Sequence, residues 1–182
     1  MRVMQRILRT LLVFILLAAA GFAAEDFAEI KKKAEAGSAD EQRLVGWLYL
    51  LGANVPKDSV EALKWFRKAV NQGYAAAQYD LAGFYYGGAG MPKNDAEAAR
   101  LYRMAAEQGH PGSQLSLGVM YWKGEGVLKD FVQAHAWINI SVAKGKDGAK
   151  YMMSRLEEEM TPEQKAEAMK LAKKLWENLP KG

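Results

Sequence analysis

The sequence predicts an all-α fold, a right-handed α-solenoid built from stacked helical hairpins. Three observations lead to this prediction. The 182-residue chain matches itself without gaps when it is shifted by 36 residues. Each repeated unit contains two segments with the apolar spacing of a helix, and each second segment starts with a side chain that caps helices. Half of the residues are hydrophobic, enough to bury a core between stacked units.

The 36-residue repeat is visible in residue types that return at fixed positions. A glycine, a tyrosine and a glutamine recur in this way: Gly37, Gly73, Gly109 and Gly145; Tyr49, Tyr85 and Tyr121; Gln42, Gln78 and Gln114. Agreement of this kind at a single spacing leaves little room for coincidence. We therefore divide the repeated region into three units, residues 38–73, 74–109 and 110–145.

Each unit has the pattern of two helices joined by a turn. In the second unit, Gln78, Leu81 and Tyr85 share one face of a helix that the glycines of residues 87–90 bring to an end. Asn94 then begins the second helix, and Glu97 is placed to complete a capping box by accepting from the cap N–H. The other units repeat this pattern, with Asp58 and Glu61 in one and Asp130 and Gln133 in the other.

Two further positions predict how the helices pack. The first helix carries a small residue at one phase of the repeat, namely Gly46, Ala82 and Gly118. A small side chain there allows the two helices of a hairpin to approach closely. The glycine that ends each second helix, as at Gly109, suits a left-handed C-terminal cap.

These motifs resemble Sel1-like repeats, which are relatives of the tetratricopeptide repeats. The resemblance rests on Ala-Gln-Tyr-Asp-Leu-Ala at residues 77–82, on Tyr-Trp-Lys-Gly-Glu-Gly-Val at 121–127 and on the segment 61–69. It covers residues 38–145 and implies a non-enzymatic interaction module, an adaptor or scaffold of the bacterial envelope. The first unit departs from the pattern, because Ala53 and Asn54 stand where the others have a glycine-bearing turn.

The two ends of the repeat region are predicted to be caps. Residues 24–37 form an N-terminal capping helix with Phe27, Ile30 and Ala34 on its apolar face. Residues 146–182 form the C-terminal capping helices. In this region Thr161 and Gln164 make a capping box that opens a last helix running to about residue 179.

Residues 1–23 have the pattern of a secretory signal peptide. Arg2, Arg6 and Arg9 precede an apolar run at residues 11–20, and small residues then favour cleavage after Ala23. An uncleaved membrane anchor is the alternative; after cleavage we expect no membrane insertion. Of the 25 Lys and Arg, removing the three leader arginines leaves 22 against 21 Asp and Glu. This near balance argues against a nucleic-acid partner.

Few residues offer chemistry. The chain has no cysteine, and its two histidines, His110 and His135, have no acidic partner at ligand spacing, so we predict no cofactor and no metal. The run at residues 157–159 is predicted to be a solvated acidic face. Ser141 and Lys144 match a serine–lysine dyad, which keeps open an alternative function as a secreted cell-wall or β-lactam-interacting enzyme.

The best candidate site is a surface. Alignment with tetratricopeptide repeats places one apolar and aromatic stripe toward the concave groove of the solenoid, where a peptide or a partner helix can bind. The same stripe is also suited to contact with neighbouring repeats, and this alternative stays open. Its predicted partner-binding residues are Arg43, Trp47 and Leu50; Tyr79 and Tyr86; and Leu115, Val119 and Trp122.

We expect the native protein to be exported to the periplasm or the medium with its N-terminus at Ala24. A leader of this kind is recognised for secretion and then removed. Cell fractionation followed by N-terminal sequencing measures both properties. Intact Met1 in a cytoplasmic fraction would contradict the prediction.

Overall fold

The computed structural model describes residues 24–88 and 91–180, and the predicted leader lies outside them. These residues form nine helices and contain no strand, which confirms the all-α prediction. They divide into two compact units, one ending at Gln72 and the other beginning at Gly73. None of the nine helices in these ranges combines the length and the apolar character that a membrane crossing requires.

The first compact unit, which ends at Gln72, consists of a capping helix and the hairpin of the first repeat. Its helices are α1, Ala24–Glu35; α2, Ala39–Leu51; and α3, Ser59–Asn71. α1 packs on α2, and α2 packs on α3. Ala34, Val45 and Trp65 form the buried centre, and the rings of Phe27 and Tyr49 meet edge to face at 5.8 Å beside it. α1 thus covers α2, at the place where the sequence predicts a capping helix.

The second compact unit, which begins at Gly73, contains the hairpins of the second and third repeats and the C-terminal helices. Its helices are α4, Ala75–Gly87; α5, Asp95–Glu107; α6, Pro111–Lys123; α7, Phe131–Ala143; α8, Ala149–Glu157; and α9, Pro162–Asn178. From α4 to α8 each helix packs on the next along the chain. The last helix, α9, packs back on α7. The capping box of Thr161 and Gln164 opens α9 as predicted.

The two helices of a hairpin approach closely at the predicted small residue. A Cβ built on Gly118 would lie 2.6 Å from Ile138 Cγ1 and 2.9 Å from the carbonyl oxygen of Ala134, both on α7. A Cβ on Gly46 would lie 3.0 Å from the ring of Phe66. Ala82, the equivalent residue of α4, is fully buried. Nothing larger than a methyl group therefore fits at this phase of the repeat.

The turn of the first unit differs from its sequence-based expectation. Ala53 and Asn54 were expected to replace the glycine-bearing turn. However, Gly52 ends α2 in the left-handed conformation with φ 70°, as Gly124 does for α6 with φ 73°. Asn54 then adopts φ 61°, close to the φ of 68° at Gly126. Asparagine tolerates this region better than most residues, so the turn keeps its backbone path without the second glycine.

In the three repeats the helix caps form as predicted, but the reciprocal bond of the capping box does not. Asp58, Asn94 and Asp130 each accept from the backbone N–H three residues on. The cap N–H of Asn94, however, donates to the carbonyl oxygen of Tyr85 at 2.9 Å, and the other two caps donate to Tyr49 and Tyr121 in the same way. The cap thus joins both helices of its hairpin, and Glu97 pairs with Arg100 instead.

Buried glutamines connect neighbouring helices along each unit. Gln114 on α6 is fully buried and donates to the carbonyl oxygen of Ala106 on α5 at 3.1 Å. Gln42 donates in the same manner to Ala34, at 2.9 Å, in the first unit. A buried amide is stable only when it is hydrogen-bonded, so these bonds fix the register of each first helix on the helix before it.

We expect Gly118→Ala to lower the free energy of unfolding by about 1–3 kcal/mol, because the added methyl group collides with α7. The matched control is Gly83→Ala, which lies in the same compact unit and is also inside a helix. A Cβ at residue 83 would meet only the hydroxyl oxygen of Tyr102, at 3.6 Å, so helix propensity should dominate and the change should be neutral or stabilising by up to about 1 kcal/mol. Urea unfolding of both variants measures the contrast; equal effects would refute it.

Candidate partner-binding surface

All eight predicted partner-binding residues are half-buried in the structure. Arg43, Trp47 and Leu50 lie on α2 of the first unit. The other five lie on two helices of the second compact unit: Tyr79 and Tyr86 on α4, and Leu115, Val119 and Trp122 on α6. We call these five residues the half-buried strip. Half-buried side chains are neither completely enclosed in the core nor fully exposed to solvent.

In the first unit, Trp47 packs within its own hairpin. Its ring meets the ring of Phe66 on α3 edge to face, with centroids 5.7 Å apart. Edge-to-face contact buries part of the indole and holds its orientation. This explains the half-burial of Trp47, which the sequence placed on the groove side of α2.

Tyr79 contacts the beginning of the next repeat. Its ring centroid lies 4.7 Å from that of His110 and 5.7 Å from that of Tyr102. A Cβ built on Gly112 would come within 3.1 Å of the Tyr79 ring, so this glycine admits the ring beside α6. His110 itself caps α6, since its Nδ1 accepts from the backbone N–H of Ser113. Tyr79 therefore bridges α4 to the N-terminal end of α6.

Tyr86 bridges the other end of the same two helices. Its hydroxyl donates to Glu125 Oε2 at 2.6 Å, in the turn that follows α6. Burial, together with the hydrogen bond and the charge of Glu125, raises the pKa of Tyr86 to about 12. Since the N-terminal ends and the C-terminal ends are both bridged, α4 and α6 run side by side in the same direction.

Trp122 makes the corresponding contact one repeat later. Its indole N–H donates to Glu159 Oε1 at 3.1 Å, in the segment after α8. Tyr121, one residue earlier and about 100° away around the helix, is buried and accepts a hydrogen bond from Arg103. We call Tyr86–Glu125 and Trp122–Glu159 the ring–carboxylate pairs. In both, the polar atom of the aromatic side chain donates to a carboxylate of the segment that follows its own repeat: the next repeat for Tyr86 and the C-terminal region for Trp122.

Between the two bridges the surface carries apolar side chains and a glycine. Leu115 and Val119 are half-buried there. Gly83 lies on the same face of α4 as Tyr79 and Tyr86, and a side chain at this position would meet little of the protein. An apolar surface of this kind can receive a side chain from another molecule.

The acidic run at residues 157–159 is exposed to solvent at Glu158 and Glu159, as predicted, but each of its three carboxylates also has a partner. Glu157 contacts Nε2 of the buried His135 at 3.0 Å, Glu158 pairs with Arg155, and Glu159 accepts from Trp122. The cause is the packing of α8 on α7, which brings its C-terminal end back to the earlier helices. His135 therefore has an acidic partner, 22 residues away in sequence, that spacing alone did not reveal.

The serine–lysine dyad suggested by the sequence does not form. Ser141 is fully buried, and its hydroxyl donates to the carbonyl oxygen of Pro111 at 2.8 Å. Lys144 donates to the carbonyl oxygen of Gly109 at 2.9 Å. Both side chains thus hold the end of α7 against the start of α6. Among the described residues, no group of three or more His, Asp or Glu side chains is arranged to hold a metal ion.

Comparison with known proteins agrees with this architecture. The sequence model of the Sel1 repeat matches residues 42–74, 75–110 and 111–146. A protective antigen present in uropathogenic Escherichia coli strains, displaying an SLR fold, is similar over 84% of this chain, with a TM-score of 0.77 and 32% identity. This chain spans 33% of that protein's length.

A Sel1 repeat protein from Oxalobacter formigenes is similar over 71% of this chain and 98% of its own, with a TM-score of 0.68 and 33% identity. No curated protein sequence matches this chain. Together, the repeat matches and the similar structures confirm the predicted resemblance and the predicted class of all-α solenoid.

We expect Tyr86→Phe to lower the free energy of unfolding by about 1 kcal/mol at pH 8, because it removes the bond to Glu125. The pKa of Tyr86 is higher in the folded protein than the ordinary value of 10.0. This stabilisation is therefore complete below about pH 10 and is lost as the pH rises toward 12. Urea unfolding of both proteins at pH 8 and pH 11 should show the difference shrinking; a constant difference would contradict the assignment.

Proposed function

The chain belongs to the Sel1 repeat family, whose members generally act in protein–protein interaction, and on that premise we propose that it is a non-enzymatic interaction module. A peptide or a partner helix binds along the half-buried strip. The single observation that supports this most is the strip itself, five apolar or aromatic side chains that remain partly accessible on α4 and α6. Arg43, Trp47 and Leu50 are the counterpart that we propose in the first unit.

The ring–carboxylate pairs support binding rather than simple core filling. In each pair the polar atom of the ring is hydrogen-bonded at one edge, which orients the ring and leaves it half-buried. A large aromatic side chain whose rotamer is held in advance loses little entropy when a partner contacts it. Aromatic residues with these properties are typical of binding hot spots.

A role without catalysis is supported by what Ser141 and Lys144 do. Both side chains are occupied by backbone carbonyl groups, and the serine is buried. A nucleophile must reach its substrate and must lie within hydrogen-bond reach of its base. The observed bonds of this pair favour a structural role instead.

We further propose that the protein acts in the bacterial envelope. The leader at residues 1–23 has the charge and apolar pattern of a secretion signal. The similar Escherichia coli protein is described as a protective antigen, a description that suits an exported protein.

The double change Tyr86→Ala with Trp122→Ala should abolish capture of the native partner by crosslinking from the cell envelope. Truncation of a hot-spot aromatic typically costs about 2 kcal/mol or more of binding free energy. Because Tyr86 also contacts the next repeat and Trp122 the C-terminal region, we expect the melting temperature to fall by about 5 °C while helicity is retained. Capture and thermal melting followed by circular dichroism are measured on the same preparations.

Two control variants separate the ring from its hydrogen bond. The change Tyr86→Phe with Trp122→Phe removes both polar atoms and keeps an aromatic ring at each position, so we expect capture to persist. Tyr151→Ala removes an exposed aromatic residue outside the strip and should change neither measurement. Undiminished capture by the double alanine variant would refute the proposal.

A further inference from the structure

We infer that the Trp122 end of the half-buried strip recognises a partner segment in which a lysine or an arginine lies next to an apolar side chain. The inference rests on the proposed function and names the chemistry of the partner. It is carried by the charges around the two ring–carboxylate pairs, which differ.

At the Tyr86 end, acidic and basic groups balance. Glu125 accepts from Tyr86 and lies 3.8 Å from Lys123 Nζ. Lys93 lies 5.6 Å from the centre of the Tyr86 ring and pairs with Asp95 at 2.8 Å. A charged residue of the partner would therefore be attracted and repelled at this end in similar measure. Apolar contact with the Tyr86 ring then contributes most to binding there.

At the Trp122 end, the balance is acidic. Glu159 is exposed, and the group it accepts from is the neutral indole of Trp122. Glu158 is compensated by Arg155 at 2.9 Å, and Glu157 contacts His135 at 3.0 Å. Glu159 thus carries a full negative charge that its indole contact does not neutralise, directly at the edge of the ring.

An indole with a carboxylate at its edge is suited to a cation. The face of tryptophan attracts ammonium and guanidinium groups more strongly than the other aromatic rings do. A cation placed over Trp122 also comes near Glu159, so both attractions act on the same side chain. An acidic segment would meet repulsion from Glu159 at this point, which makes the pair selective as well as attractive.

Two synthetic peptides test the inference directly. Both have 15 residues and the same leucine stripe at helical spacing; one carries lysine at the flanking positions and the other carries glutamate. Each is titrated into isotopically labelled protein, and the indole N–H signal of Trp122, identified by its loss in Trp122→Phe, is followed by NMR. We expect the lysine peptide to shift this signal and the glutamate peptide to leave it unchanged.

Matched variants locate the effect on one carboxylate. Glu159→Gln keeps an oxygen that accepts from the indole but removes the charge, and it should weaken binding of the lysine peptide about threefold to tenfold. Glu158→Gln removes the neighbouring charge, which Arg155 already compensates, and should leave the affinity unchanged. Glu159→Lys should favour the glutamate peptide over the lysine peptide.

Equal affinities of the wild type and Glu159→Gln for the lysine peptide would overturn the inference. The same holds if both peptides bind equally, or if neither shifts the Trp122 signal. Such results leave the proposed function intact as long as Tyr86→Ala with Trp122→Ala still abolishes capture of the native partner. Retained capture by that double variant would instead refute the proposed function, and the inference with it.

Discussion

The close contact between the two helices of a hairpin is the constraint on which the remaining structure depends. At Gly118 the backbone of α7 comes so near that even one methyl group collides with it, and at Gly46 the ring of Phe66 fills the same place. This contact sets the rotation of the first helix about its axis. Once that rotation is set, Tyr121 faces the core and Trp122 faces outward, so the position of the strip follows from the packing of the hairpin.

The fold could be predicted from the sequence because its determinants repeat. A glycine that must adopt positive φ, as at Gly109, and a cap such as Asn94 act locally, and each occurs once in every unit at the same phase. Where the sequence departs from the pattern, local chemistry compensated, since Asn54 adopts the left-handed conformation that Gly126 uses elsewhere. The backbone conformation of this turn is therefore retained despite the change of residue.

The partners of the site residues could not be predicted in the same way. The stripe that contains Tyr86 and Trp122 is predicted by alignment with tetratricopeptide repeats and the 36-residue spacing. Glu125 and Glu159, however, are 39 and 37 residues away and lie in turns. Their contacts depend on how one helix lies beside the next, which no spacing rule encodes. The same is true of the capping boxes. Glu97 has the spacing of a capping box, yet the backbone N–H of Asn94 donates its hydrogen bond to the carbonyl oxygen of Tyr85 instead.

The C-terminal end of the chain has a consequence for how such an array can grow. α8 follows Gly145 in the place of a further first helix, but α9 packs back on α7 instead of forming a hairpin with it. A duplicated repeat inserted after α7 would have to displace α9, whereas one inserted earlier meets neighbours of its own kind on both sides. Tandem duplication in evolution can therefore lengthen the array more readily between existing repeats than after α7, and the last two helices stay with the repeat they cover.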